Sequence, residues 1–236
     1  MEKFLFYFLL FLIYSMAGWL MELVVVGLKE KKLIDRGFLI GPYCPIYGTG
    51  AIIMILYLNN YKDNVITVFL LATFICTFVE YIISFIMEKL FNARWWDYSD
   101  RKFNINGRVC LTNAFLFGVL GVLLIYFINP FLTDVLLNAN TKWINVISTI
   151  WLVIFVSDYI LSMVVTFNIK NKINKLKKDN TEEFNRKIRE TIENKILNRR
   201  IFKAYPKFKI NIIGIKEIKV KLDEKAREIK EKIEKI

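Results

Sequence analysis

The sequence predicts an all-α polytopic membrane protein. Five transmembrane helices, N-terminus outside and C-terminus inside, precede a basic helical tail in the cytosol. Three observations predict this. Hydrophobic residues make up 55% of the 236 positions and the mean hydropathy is +0.38, above the range of an ordinary soluble domain. The apolar positions gather into runs long enough to cross a bilayer. Charge is also segregated: residues 1–168 sum to +1, whereas residues 169–236 carry +11 of the total +12.

Residues 4–26 form the first predicted span, nearly all apolar and about 34 Å long at ~1.5 Å per residue. This run lacks a basic n-region and a small-residue cleavage site, so we read it as a retained helix rather than a signal peptide. Residues 37–58 form the second and weakest span, interrupted at its start by Gly41, Pro42 and Pro45. Residues 65–87 form the third. Residues 111–129 form the fourth, stopped by Pro130, and residues 144–168 the fifth. Residues 1–3, 59–64 and 129–142 hold one cation each, Lys3, Lys62 and Lys142. Residues 27–38 hold four and residues 88–110 hold five. The two sets alternate along the chain, which sets the orientation by the preference of Lys and Arg for the inner side.

The tail, residues 169–236, is helix-prone. Thr181 is placed to cap a helix, with Glu182 and Glu183 in its first turn. Phe184, Ile188, Ile192 and Ile196 follow at four-residue spacing. Beyond Pro206 a second stripe runs through Ile218, Leu222, Ile229 and Ile233. The stretch from Phe208 to Ile215 fits strand or helix. Either the stripes pack on each other as a hairpin, or they present a surface for anionic lipid or a partner subunit.

Candidate functional residues cluster at the ends predicted to face inward. Glu22, Glu80 and Asp158 are acids within predicted spans. A charge there costs at least ~2.5 kcal/mol to insert, so such residues usually face a partner or water. Trp19 lies one turn before Glu22, while Ser84 and Glu88 follow Glu80 on one helical face. The loop of residues 88–110 holds Arg94, Trp95, Trp96, Asp97, Asn104 and Arg108, and its paired tryptophans suit a membrane–water interface. Arg36 opens the stretch RGFLIGPYCPIYGTG, which includes Tyr43 and Tyr47 and cannot continue as regular helix through Gly41 to Pro45. That stretch is either a tight juxtamembrane turn or a broken approach to the second helix, its freed backbone groups open to a ligand. The acids and arginines are either structural ion pairs or the lining of a polar cavity for a substrate or ion.

The residue inventory narrows the chemistry. The chain has no histidine and no GxxxxGK[ST], so a His-ligated haem, a Ser–His nucleophile and a P-loop are excluded. Cys44, Cys76 and Cys110 have no CxxC spacing and are expected as free thiols. We therefore assign no catalytic residue, metal or cofactor. Nucleic acid is not expected as a partner, because membrane proximity accounts for the basic tail.

Several of these residues form a recognisable set: Gly18–Trp19–x–x–Glu22; Arg36–Gly37–Phe38 with Gly41–Pro42–x–Cys44–Pro45–Ile46–Tyr47–Gly48; Glu80; Arg94–Trp95–Trp96–Asp97–Tyr98; and Asn104–Ile105–x–Gly107–Arg108–x–Cys110–Leu111. Over about residues 1–165 the chain resembles the bacterial CmpB-like family of ABC-transporter permeases, type IV. Asn198–Arg199–Arg200 and Tyr205–Pro206 resemble it more weakly. The resemblance implies a multipass protein of the bacterial plasma membrane and supplies no catalytic residues. The leading functional expectation is a transport-related permease subunit served by a separate ATPase, in contact with membrane lipid and assembled as a homo-oligomer. The alternatives are an inner-leaflet scaffold or sensor, and a membrane-embedded lipid-binding protein or enzyme. In the last case Glu22, Glu80 and Glu88 would act with Arg94 and Arg108.

Overall fold

A computed structural model describes residues 3–31, 38–91, 93–176 and 209–210. Within these the protein is mostly helical, with α1 (Lys3–Glu30), α2 (Pro45–Leu58), α3 (Val65–Phe91), α4 (Leu111–Leu123), α5 (Asn129–Asn138) and α6 (Thr141–Leu176). Among the described residues, four segments are long and apolar enough to cross a membrane: Lys3–Leu28, Val65–Phe91, Leu111–Asn138 and Thr141–Asn168. The weak second run instead folds as the 14-residue α2, about 21 Å at ~1.5 Å per residue.

Small residues let α1 close on α2 and α3 close on α4. Lipid tails are as apolar as leucine, so helix association relies on close packing rather than water exclusion. Gly18 of α1 leaves room for the Tyr47 ring, and Gly48 of α2 leaves room for Ser15 and Phe11. Gly118 of α4 faces Phe69 and Thr73 of α3, and Gly121 faces Ala72. Between α1, α2, α3 and the start of the π turn lies a core of Leu10, Tyr14, Met54, Ile55, Leu58, Val68 and Ile125.

Pro130 does not end the fourth span. A π-helical turn, Leu124–Ile128, joins α4 to α5 and carries the helix past the proline. The Asn129 N–H bonds to the Leu124 carbonyl, five residues back. This wider turn accommodates a residue that lacks an N–H and crowds the carbonyl four residues before it. Tyr14 then ties α1 to α5, its hydroxyl donating to Asn129 Oδ1 at 3.1 Å.

Residues 38–44 are irregular and lie at mid-height on α1, where the Cys44 N–H donates to the Ser15 carbonyl at 2.9 Å. This is a broken approach to α2 inside the helical body, not a turn at its rim. Loop 93–110 contains a hairpin of β2 (Asn104–Ile105) and β3 (Val109–Cys110). A short β1 (Ala93–Arg94) pairs antiparallel with β4 (Lys209–Ile210), so the ambiguous stretch after Pro206 contributes a strand at those two residues. Arg36 and both apolar stripes of the tail lie outside the described residues. Among the described residues Cys44, Cys76 and Cys110 form no disulfide.

Candidate functional site

Three polar groups form where α1, α3 and α6 meet the irregular segment and loop 93–110. The first centres on Asp158 of α6, which is 8% exposed. Its carboxylate accepts from the N–H of Ile40 (2.9 Å) and of Gly41 (2.7 Å), from the Tyr43 hydroxyl (2.8 Å) and from the Ser162 hydroxyl (3.0 Å). The Tyr43 N–H bonds to the Gly41 carbonyl, Cys44 bonds to Ser15, and Pro42 has no N–H. Every backbone donor from Ile40 to Cys44 is thereby satisfied, as non-helical backbone inside a helical membrane domain requires. Leu39 and Tyr43 pack with Leu12 beneath this carboxylate. Asp158 is thus the clamp that holds the break open.

The second group braces the loop. Glu88, near the end of α3, pairs with Arg108 Nη2 at 2.7 Å and with Arg94 Nη2 at 3.2 Å. Arg94 also donates to the Asn106 carbonyl (3.2 Å) and lies 3.7 Å from Asp97. The Arg108 guanidinium sits over the Tyr81 and Phe85 rings, 5.6 and 5.5 Å from their centroids. Asp97 is buried and accepts from the Ser99 N–H and hydroxyl. The turn in the hairpin has φ of 51° at Asn106 and 66° at Gly107, the mirror-image turn that Asn-Gly adopts most readily. A Cβ on Gly107 would press into Asp97, Ser99 and Arg94. Asn104 Oδ1 accepts from the Gly107 N–H, and its amide donates to the Arg101 carbonyl.

The two tryptophans differ in burial. Trp95 is 3% exposed and packs edge-on against Phe38 and Phe91, while Trp96 is half-buried and donates to the Arg108 carbonyl at 3.0 Å. Because the loop folds back onto α3, the Trp95 ring packs on protein.

The third group joins Glu22 and Glu80. The Tyr47 hydroxyl donates to Glu22 Oε1 at 2.6 Å, and the Tyr98 hydroxyl donates to Glu80 Oε1 at 3.2 Å. Burial, then the Glu80 carboxylate and more weakly Glu22, raise the Tyr98 phenol well above its ordinary pKa, so it remains a neutral donor at physiological pH. Glu80 and Ser84 are both 6% exposed, and Trp19 sits on α1 one turn from Glu22.

The predicted residues are therefore divided among the groups. Asp158 and Tyr43 belong to the clamp; Glu88, Arg94, Asp97, Asn104 and Arg108 to the brace; Glu22, Tyr47 and Glu80 to the acid pair. From sequence, Tyr98 belongs only to the family-like set and not to the candidate site, and Tyr81 was not singled out; a phenol next to acids within the predicted spans was a usable signal for both. Among known families, the one described as "Putative ABC-transporter type IV" matches residues 9–163. No curated protein and no solved structure matches the chain.

Proposed function

The chain belongs to the family described as "Putative ABC-transporter type IV", and from that premise we propose that it is a membrane-embedded permease subunit whose ATP hydrolysis comes from a separate polypeptide. The observation that carries this reading is the braced loop at the cation-rich end. Glu88 is bonded to both Arg94 and Arg108, and β1 pairs with a strand of the basic tail. A stiff loop joined directly to α3 and α4 can transmit movement from a docked ATPase into the helices, whereas a mobile loop would absorb it. The absence of a GxxxxGK[ST] motif from the sequence supports a nucleotide held by another subunit.

The same reading places the protein in the bacterial plasma membrane, with the braced loop and the C-terminus in the cytosol. It makes five passes, the second formed by residues 38–58, and assembles as a homo-oligomer, since five helices are few for a translocation path. The pairing of β1 with β4 also favours a second reading, a scaffold or sensor whose tail grips a soluble partner.

Purification from native membranes in mild detergent tests both. Recovery of an ATPase that is lost on truncation after Asn168, with ATP-dependent flux in liposomes, supports the permease. Recovery of a soluble protein without nucleotide-binding activity supports the scaffold. Arg94 and Arg108 are bonded to Glu88, which weighs against their gripping a phosphate head group.

A further inference from the structure

One buried acid keeps a bare oxygen. Glu80 Oε1 accepts from Tyr98, but Oε2 has no hydrogen-bond partner among the described residues, although the residue is 6% exposed. Three residues earlier, on the same face of α3, the Thr77 hydroxyl is also buried without a partner. A threonine in a helix usually donates to the carbonyl four residues back, as Thr73 does to Phe69 and Thr166 does to Ser162. Thr77 does not, so among the described residues two orphaned oxygens lie about one turn apart on one face of α3.

Among the described residues, the groups around them bring one further carboxylate, neutral phenols and thiols, and no positive charge. Glu22 approaches from α1, Tyr47 and Cys44 from the start of α2, Cys76 lies on α3 itself, and Tyr98 and Cys110 come from the loop. Among the described residues neither Glu22 nor Glu80 has a salt-bridge partner, because Arg94 and Arg108 both bond to Glu88. A carboxylate oxygen buried without compensation is costly, and two carboxylates near each other raise the cost.

We propose that Glu80 and Glu22, with the Thr77 hydroxyl and the Tyr98 and Tyr47 phenol oxygens, form a binding site for one positive charge, supplied by a proton or by an alkali cation. Each phenol gives its hydrogen to a carboxylate and keeps lone pairs for the occupant. Hard cations take such oxygen ligands, and a proton can be shared between paired carboxyl groups. Among the described residues no third metal-ligating side chain joins the pair, so its charge suits a monovalent ion better than a divalent one. The site stands on the packing of α1, α2, α3 and the loop, whether or not an ATPase drives the protein.

The test uses the full chain in lipid nanodiscs. Infrared spectroscopy follows the protonated-carboxyl band across pH, and thermal unfolding is compared in Na+, K+ and choline at constant ionic strength. A titrating band lost in Glu80→Gln identifies a proton. A Tm increase with one alkali ion over choline, lost in Glu80→Gln, identifies a cation. Thr77→Val keeps the side-chain volume and weakens uptake about tenfold, roughly the worth of one hydrogen bond to a charged group. It serves as the reporter if Glu80→Gln fails to fold. The proposal is overturned if the wild type shows neither signal, or if its signal survives both substitutions. It is also overturned if Arg36→Gln unmasks a signal absent from the wild type, since Arg36 would then be the partner of the pair.

Discussion

At the scale of single residues, the three intramembrane acids show how one chemistry serves different ends. Asp158 accepts four hydrogen bonds and holds the backbone of Ile40 and Gly41 in place. Asp158→Ala strands those two N–H groups, so we expect a loss of at least about 1.5–3 kcal/mol. The loss should be visible as a lower melting temperature in detergent and reduced abundance in the membrane. Normal stability with lost function would make Asp158 a ligand group instead. Arg108 combines an ion pair with two aromatic faces. Arg108→Lys retains the charge but gives up planar stacking, at a cost of about 0.5–2 kcal/mol. Faster limited proteolysis within residues 93–110 is the readout, and an unchanged cleavage rate would show that stacking adds nothing to the brace.

At the scale of elements, glycines decide two contacts. Gly107 sits at φ 66°, and a Cβ there meets Asp97, Ser99 and Arg94. Gly107→Ala therefore combines left-handed strain of about 1–2 kcal/mol with a clash inside the brace. We expect accelerated proteolysis of the loop with α1 and α3 intact, and a cleavage rate equal to that of the wild type would contradict this. Gly48 is a matter of space alone, for its missing Cβ is where Ser15 and Phe11 pack. Gly48→Val should push α1 from α2 and break the hydrogen bond from Tyr47 to Glu22, lowering thermal stability more than Gly50→Ala. Gly50 has only the Cys76 sulfur, at an ordinary 3.5 Å, in its way.

At the scale of the whole molecule, the question is how many times the chain crosses. Lys31 follows α1, Asn60 lies between α2 and α3, and Asp100 lies in the loop after α3. In intact cells a membrane-impermeant maleimide should label Asn60→Cys, while Lys31→Cys and Asp100→Cys should react only after permeabilisation. Native thiol labelling sets the background. If Lys31→Cys and Asn60→Cys react from the same side, residues 38–58 re-enter without crossing and the count falls to four. If Asn60→Cys and Asp100→Cys do so, α3 is not a span.

What the sequence determined by itself were properties local in the chain. The long apolar runs named α1, α3, α4 and α6, and the inventory of histidine and glycine motifs excluded whole classes of chemistry. Glu22, Glu80 and Asp158 were recognisable as acids in need of partners because insertion is costly for any charge. The identity of those partners was not recognisable. Asp158 binds residues 115 to 118 positions away, and the Glu22–Tyr47 contact requires Gly18 and Gly48 to let two helices close. Pro130 reads locally as a stop, yet a wider turn carries the helix through it. Apolar length is written in consecutive residues. Hydrogen-bond partners across a bundle follow from how its helices pack, and only the tertiary structure decides that.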